Sequence, residues 1–232
     1  MSIPSDIISA AKRQGRTILT EEESKKLLRE LNIETTQLSV ASSKEEAVAE
    51  SSKIGFPVVL KIASPDITHK SDAGGVKVNL NSAEEVAQAY EDIMESCKKQ
   101  FPAARIDGVS VQNMVQPGIE VIIGMTKDSQ FGPVIMFGLG GVWVEVLKDV
   151  SFRIAPLTES DAAKMIKEIK GFSLLKGYRG TPPADIAVLE DMLMKISRYA
   201  AETPDIKEID LNPVFAYSDH AVAVDARVIL EN

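Results

Sequence analysis

Cysteine is nearly missing from these 232 residues: Cys97 stands alone, which excludes an internal disulfide framework and suits a reducing compartment. Positive charge is also in deficit. The formal net charge is −8 and no basic run carries interleaved aromatics, so the overall field repels nucleic acid and anionic membrane. No apolar run approaches the roughly 20 residues of a membrane span, and the opening "MSIPSDIISAAKRQGR" lacks the apolar stretch of a signal peptide. A cytoplasmic protein with neither nucleic acid nor membrane as partner is expected. Several catalytic motifs are absent too. There is no P-loop, no CxxC and no HExxH, and "GLGGVWVE" fails as a dinucleotide fingerprint because Trp143 occupies the last glycine position.

What is present suits a chain with a substantial core, since 44% of it is hydrophobic. Helix signals recur. Thr20 with Glu23, Ser43 with Glu46 and Ser82 with Glu85 are capping-box pairs ahead of helically spaced apolar residues, and "TESDAAKMIKEI" and "ADIAVLEDMLMKISRYAA" read likewise. Strand patterns lie between them: "TTQLSV", "PVVLKI", "GVKVNL", "GVSVQNMV", "EVIIGMT", "PVIMFGL", "EIDLNPVFAY" and "AVAVDARVIL". Several follow one another through short turns, so the fold class is α+β rather than all-parallel. Two lobes with a cleft between them are expected, with "FPAARIDG" as the handover.

Three stretches carry chemistry. "PVVLKI" reads as a strand ending on Lys61, which either snorkels to solvent or meets a ligand. The loop "SPDITHKSDAGG" holds His69 ahead of Gly74 and Gly75, where backbone could wrap closely around a phosphate. In the last hairpin, Asp210 and Asn212 point opposite to Ile209 and Leu211. A two-residue turn at Ser218–Asp219 sets Asn212 across from Asp225, and Asp210 across from Arg227. That face is either an oxygen-ligand set of the kind Mg²⁺ takes or an exposed polar face with a salt bridge. Cys97 falls on an apolar helical stripe and His220 in the hairpin turn; these read as core and as solvated respectively.

With these pieces placed, the chain resembles an ATP-grasp domain, in particular the β subunits of NDP-forming acyl-CoA synthetases, which include the ADP-forming acetate–CoA ligases. Succinyl-CoA synthetase is a more distant likeness. The matching stretches are "GFPVVLKIASPDITHKSDAGGVKVNL", "VQNMVQPGIEVIIGMTKDSQFGPVIMFGLGGVWVE", "SFRIAPL", and "EIDLNPV" followed by "AVDAR". They run from about Thr20 to Leu230. The resemblance implies an ATP-grasp fold with nucleotide in the cleft between an N-terminal lobe at 20–111 and a C-terminal lobe at 112–232, residues 1–19 packing on the core as an extension.

The resemblance also implies roles. Lys61, with the His69–Gly75 loop, would contact phosphates, and the segment Gln112, Asn113, Met114, Val115 would present backbone groups to adenine. Glu120 would face the ribose or the catalytic centre, and Arg153 would reach a terminal phosphate. Asp210, Asn212 and Asp225 match the family's Mg²⁺ region, and His69 matches a histidine that is transiently phosphorylated. ATP and ADP would be substrates, acetate the favoured acid, and CoA would be bound mainly by a partner α subunit in an α2β2 assembly. Two rival readings are a stand-alone ATP-grasp carboxylate ligase and a nucleotide-sensing module without turnover.

Overall fold

The computed structural model describes residues 5–67, 70–141, 148–178 and 180–232. After α1 (Ser5–Arg13), Thr20 starts α2 (Glu21–Glu30) with a reciprocal box: its hydroxyl accepts the Glu23 N–H and the Glu23 carboxylate accepts the Thr20 N–H. Ser43 and Ser82 cap α3 (Lys44–Ile54) and α4 (Ala83–Gln100) in the same way. Their third-position glutamates, Glu46 and Glu85, reach one residue further back, to the N–H groups of Ser42 and Asn81.

The chain divides into Thr36–Gln116 and, as a second unit, Met1–Thr35 with Pro117–Asn232. The boundaries read from the sequence shift accordingly. Residues 20–35 join the later part of the chain because Leu19, Leu27 and Leu28 share one core with Val121, Leu193 and Leu211, and the Leu19 N–H donates to the Val228 carbonyl at 3.0 Å. The buried Ile8 and Ala11 bring α1 into that core too. "FPAARIDG" is no handover: it joins α4 to β4 (Gly108–Asn113) inside the smaller unit, which the chain leaves after Gln116.

In the smaller unit β4 stands with β1 (Leu38–Ala41), β2 (Val58–Ala63) and β3 (Val76–Leu80) in an antiparallel sheet of order β1-β4-β2-β3. Val58, Leu60 and Ile62 alternate onto one face, where they are buried with Val109, Val111, Val86, Ile93 and Cys97 beneath α3 and α4. The Cys97 thiol is buried there, and burial pushes its pKa up, as befits a core residue.

The larger unit carries a six-stranded sheet from β5 (Ile119–Asp128), β6 (Gly132–Leu139), β7 (Val150–Ile154), β8 (Ile206–Ala216), β9 (Ala221–Ala223) and β10 (Arg227–Leu230), in the order β10-β8-β5-β6-β7 with β9 beside β8. Thr158 caps α5 (Glu159–Glu168); α6 (Phe172–Leu175) and α7 (Ile186–Glu202) follow. The apolar row Val121, Ile123, Ile135, Phe137, Ile209, Leu211 and Val228 lies in the core with residues of α5 and α7. That fixes which side chains take the other face. No helix among the described residues is long and apolar enough to cross a membrane.

Candidate functional site

The last hairpin forms in the register its sequence dictates. Tyr217 N–H donates to the His220 carbonyl at 2.9 Å around Ser218–Asp219, and Asp210 pairs across from Arg227. The sequence pattern "AVAVDARVIL" is not one strand, however. It breaks between β9 and β10, and Asp225 sits in the gap, its Oδ1 accepting the Ala226 N–H at 2.9 Å. Because Ile209 and Leu211 are buried in the core, Asp210 and Asn212 face away from it. Asn212 is exposed.

Charge on this face is strongly negative. Arg227 Nη2 lies 2.7 Å from Glu208 Oε1 and 3.5 Å from Asp210 Oδ2. Burial raises the Asp210 pKa above the ordinary carboxylate value, and the negative charges of Glu208 and Asp225 add to the rise against the opposing pull of Arg227. Arg227 thus meets two of the three carboxylates that act on one another here, and a divalent cation would ease their mutual repulsion. Among the described residues no three His, Cys, Asp or Glu side chains converge as a metal cluster. A pair of carboxylates with an amide oxygen nevertheless suits Mg²⁺, which fills most of its octahedron with water and phosphate.

Glu120 shares that outer face, since its neighbour Val121 is in the core and Gly124, four residues on, lies across from Asp210. Arg153 does not share it. It stands across from the buried Ile135, beside Ser151, whose hydroxyl donates to the Met165 carbonyl on α5. Its guanidinium donates to Glu168 at 2.6 Å. A part-exposed ion pair is worth about 0.2–1 kcal/mol, so the strand face, more than the pair, sets its direction. The expected contact of Arg153 with a terminal phosphate is thus corrected: it projects to the helix-covered side, opposite Asp210.

In the smaller unit Lys61 is not at a strand end. β2 runs on to Ala63, and Lys61 is 7% exposed on the face away from α3 and α4, across from Ser110 and Val76. Gln112 lies on that same face at 1% exposure; its Nε2 donates to Ser110 Oγ at 3.3 Å, and its Oε1 accepts from Thr36 Oγ1 at 3.3 Å. Its backbone belongs to the ladder with Leu38 and Val59, so it does not offer free backbone groups as expected. The Met114 N–H is likewise taken, donating to the Pro57 carbonyl at 3.1 Å. What the segment can still present is the Met114 carbonyl and the backbone of Val115.

Gly74 and Gly75 also serve the fold rather than a phosphate. Their N–H groups donate to Ser71 and Lys70 carbonyls at 3.0 and 2.8 Å, and Gly74 has φ +65°. A Cβ at Gly75 would lie 2.6 Å from Ile62 Cγ2 and 2.9 Å from the Lys70 carbonyl. Gly75→Ala is accordingly expected to cost about 1–3 kcal/mol in thermal or urea unfolding. His69 lies outside the described residues. The residues flanking it are built in: Ile67 is buried in the core, and the Ala73 carbonyl accepts from Ser96 Oγ at 2.9 Å and Gln100 Nε2 at 3.0 Å.

Residues 10–230 match the ATP-grasp domain family. The β subunit of ADP-forming acetate–CoA ligase I from Pyrococcus furiosus is 51% identical over 225 residues, 97% of each chain. The chain belongs to the ATP-grasp family, with the β subunits of the ADP-forming acetate–CoA ligases. A solved acetyl-coenzyme A synthetase 1 of Candidatus Korarchaeum cryptofilum, in complex with coenzyme A, Ca-AMPCP and HgCl⁺, superposes at TM-score 0.95 with 52% identity, covering 97% of this chain and 99% of that one. Another structure of that protein holds coenzyme A and Mg-AMPPCP, with a phosphohistidine segment pointing towards the nucleotide binding site; it gives TM-score 0.86 and 49% identity, covering 98% and 100%. Glu208 is the residue that the sequence reading passed over. Its signal was present in the same alternation, Glu208-x-Asp210-x-Asn212.

Proposed function

We propose that this chain is the nucleotide-handling, phosphoryl-transferring β subunit of an ADP-forming acyl-CoA synthetase, with acetate as the favoured acid. It interconverts acyl-CoA, ADP and phosphate with acid, CoA and ATP. What supports this reading is the acidic outer face of β8, where Glu208, Asp210 and Asn212 alternate and the charge of Asp225 is felt by Asp210, in a chain of the β-subunit family. Lys61 contacts the phosphates, Met114 and Val115 offer backbone groups to the adenine, and Glu120 meets the ribose or the catalytic centre. Glu120 lies four residues along β5 from Gly124, the residue across from Asp210, a rise of about 13 Å, and this offset favours the nucleoside end for Glu120. When bound, Mg²⁺ supplies charge neutralisation to the phosphates. His69 accepts a phosphoryl group on an imidazole nitrogen and yields it to ADP. A CoA-binding α partner, two copies of each chain assembling, supplies the acyl half.

Calorimetric titration of ADP with and without Mg²⁺ tests the reading. Binding should require the metal, and Asp225→Ala should abolish that dependence. The ionised Asp210 is needed for the cation, and its raised pKa means protons compete sooner, so metal-dependent affinity should decline on acidification before ordinary aspartates titrate. The same shift favours the protonated group in the folded chain: its stabilisation is full below the unfolded pKa and lost as pH rises through the folded one. An Asp225→Ala chain with unaltered metal dependence would remove these residues from the site.

A further inference from the structure

The Glu120 carboxylate is exposed, and among the described residues it makes no hydrogen bond or ion pair. The space beside it is left by two glycines. β5 and β6 pair from Val121 with Leu139, and just past β6 the Gly140 N–H donates to the Glu120 carbonyl at 2.8 Å. A Cβ at Gly140 would stand 3.0 Å from Glu120 Cβ, and one at Gly141 only 2.8 Å from Glu120 Oε2. Gly141 also has φ +60°. Two constraints meet at that residue, one on the backbone and one on the space that a neighbouring carboxylate occupies.

We propose that Gly141 is a positioning residue: the room left by its missing side chain is where the Glu120 carboxylate is held for contact with the nucleotide. This rests on the nucleotide-binding reading above. The two constraints can be separated, because asparagine tolerates left-handed φ far better than alanine yet brings the same Cβ.

The test is a double-mutant cycle on the full 232-residue chain, with calorimetric titration of Mg·ADP and thermal unfolding of every variant. Gly141→Ala and Gly141→Asn should each weaken binding about tenfold, while in a Glu120→Ala background the same changes should shift it less than about twofold, the signature of coupled neighbours. If the alanine variant does not fold, the asparagine variant carries the comparison; if neither folds, Gly141 serves folding and the proposal falls. Equal weakening with and without the Glu120 carboxylate overturns it, as does wild-type affinity in Gly141→Asn. A wild-type chain that binds no Mg·ADP fails at an earlier step, taking the nucleotide reading and this one together.

Discussion

His69→Asn should lower ATP–ADP exchange by about a thousandfold or more, the scale on which loss of an essential covalent step is felt, while leaving Mg·ADP affinity and the unfolding temperature near wild type. Asparagine keeps a polar side chain of similar reach but has no nucleophilic ring nitrogen. The fold should tolerate it because its support comes from the flanks: Ile67 in the core, and the Ala73 carbonyl held from α4 by Ser96 and Gln100. Exchange isolates the nucleotide half of the reaction, since neither acid nor CoA enters it. A His69→Asn chain exchanging label at nearly the wild-type rate would mean that phosphate reaches ADP by another route.

The second large effect concerns the chain by itself. Purified alone, it should form no measurable acyl-CoA from acid, CoA and ATP, and adding the CoA-binding α subunit should bring turnover up from background. The expectation follows from the likeness to a protein named as one subunit of its enzyme: this chain and the Pyrococcus β subunit cover 97% of each other. Vigorous synthesis by the single chain would instead favour a stand-alone ligase. Nucleotide binding without exchange or synthesis, even with the partner present, would favour a sensor.

Local signals in the sequence survived folding well. The capping pairs start helices where they stand, and the strand alternation around Ile209 and Leu211 puts Asp210 opposite Arg227, because a two-residue turn and one buried face leave a single register. What the sequence could not disclose depends on partners remote along the chain. Gly74 and Gly75 look like a phosphate cradle until Ile62 and Ser96 arrive beside them. Arg153, placed by resemblance near a terminal phosphate, turns to the helix-covered face where Ile135 and Glu168 meet it. Lys61 looks terminal in the pattern "PVVLKI", yet β2 continues through Ile62 and Ala63 and the ladder with β4 runs past it. Lobe boundaries failed for the same reason: α2 carries an ordinary amphipathic pattern, and nothing in it names the core into which Leu27 and Leu28 fit.

The discontinuity of the larger unit sets an order on the ribosome. Residues 36–116 contain every strand and helix of their own sheet, so they can close their core once that stretch has emerged. The first 35 residues cannot. Their apolar side chains find Val121, Leu193 and Leu211 only later, and the bond from the Leu19 N–H to Val228 forms only after the last strand, β10, has emerged. The segment before Thr36 is thus made ahead of the smaller unit yet finds its place after it, with Ile8, Leu27 and Leu28 in need of shelter throughout the interval.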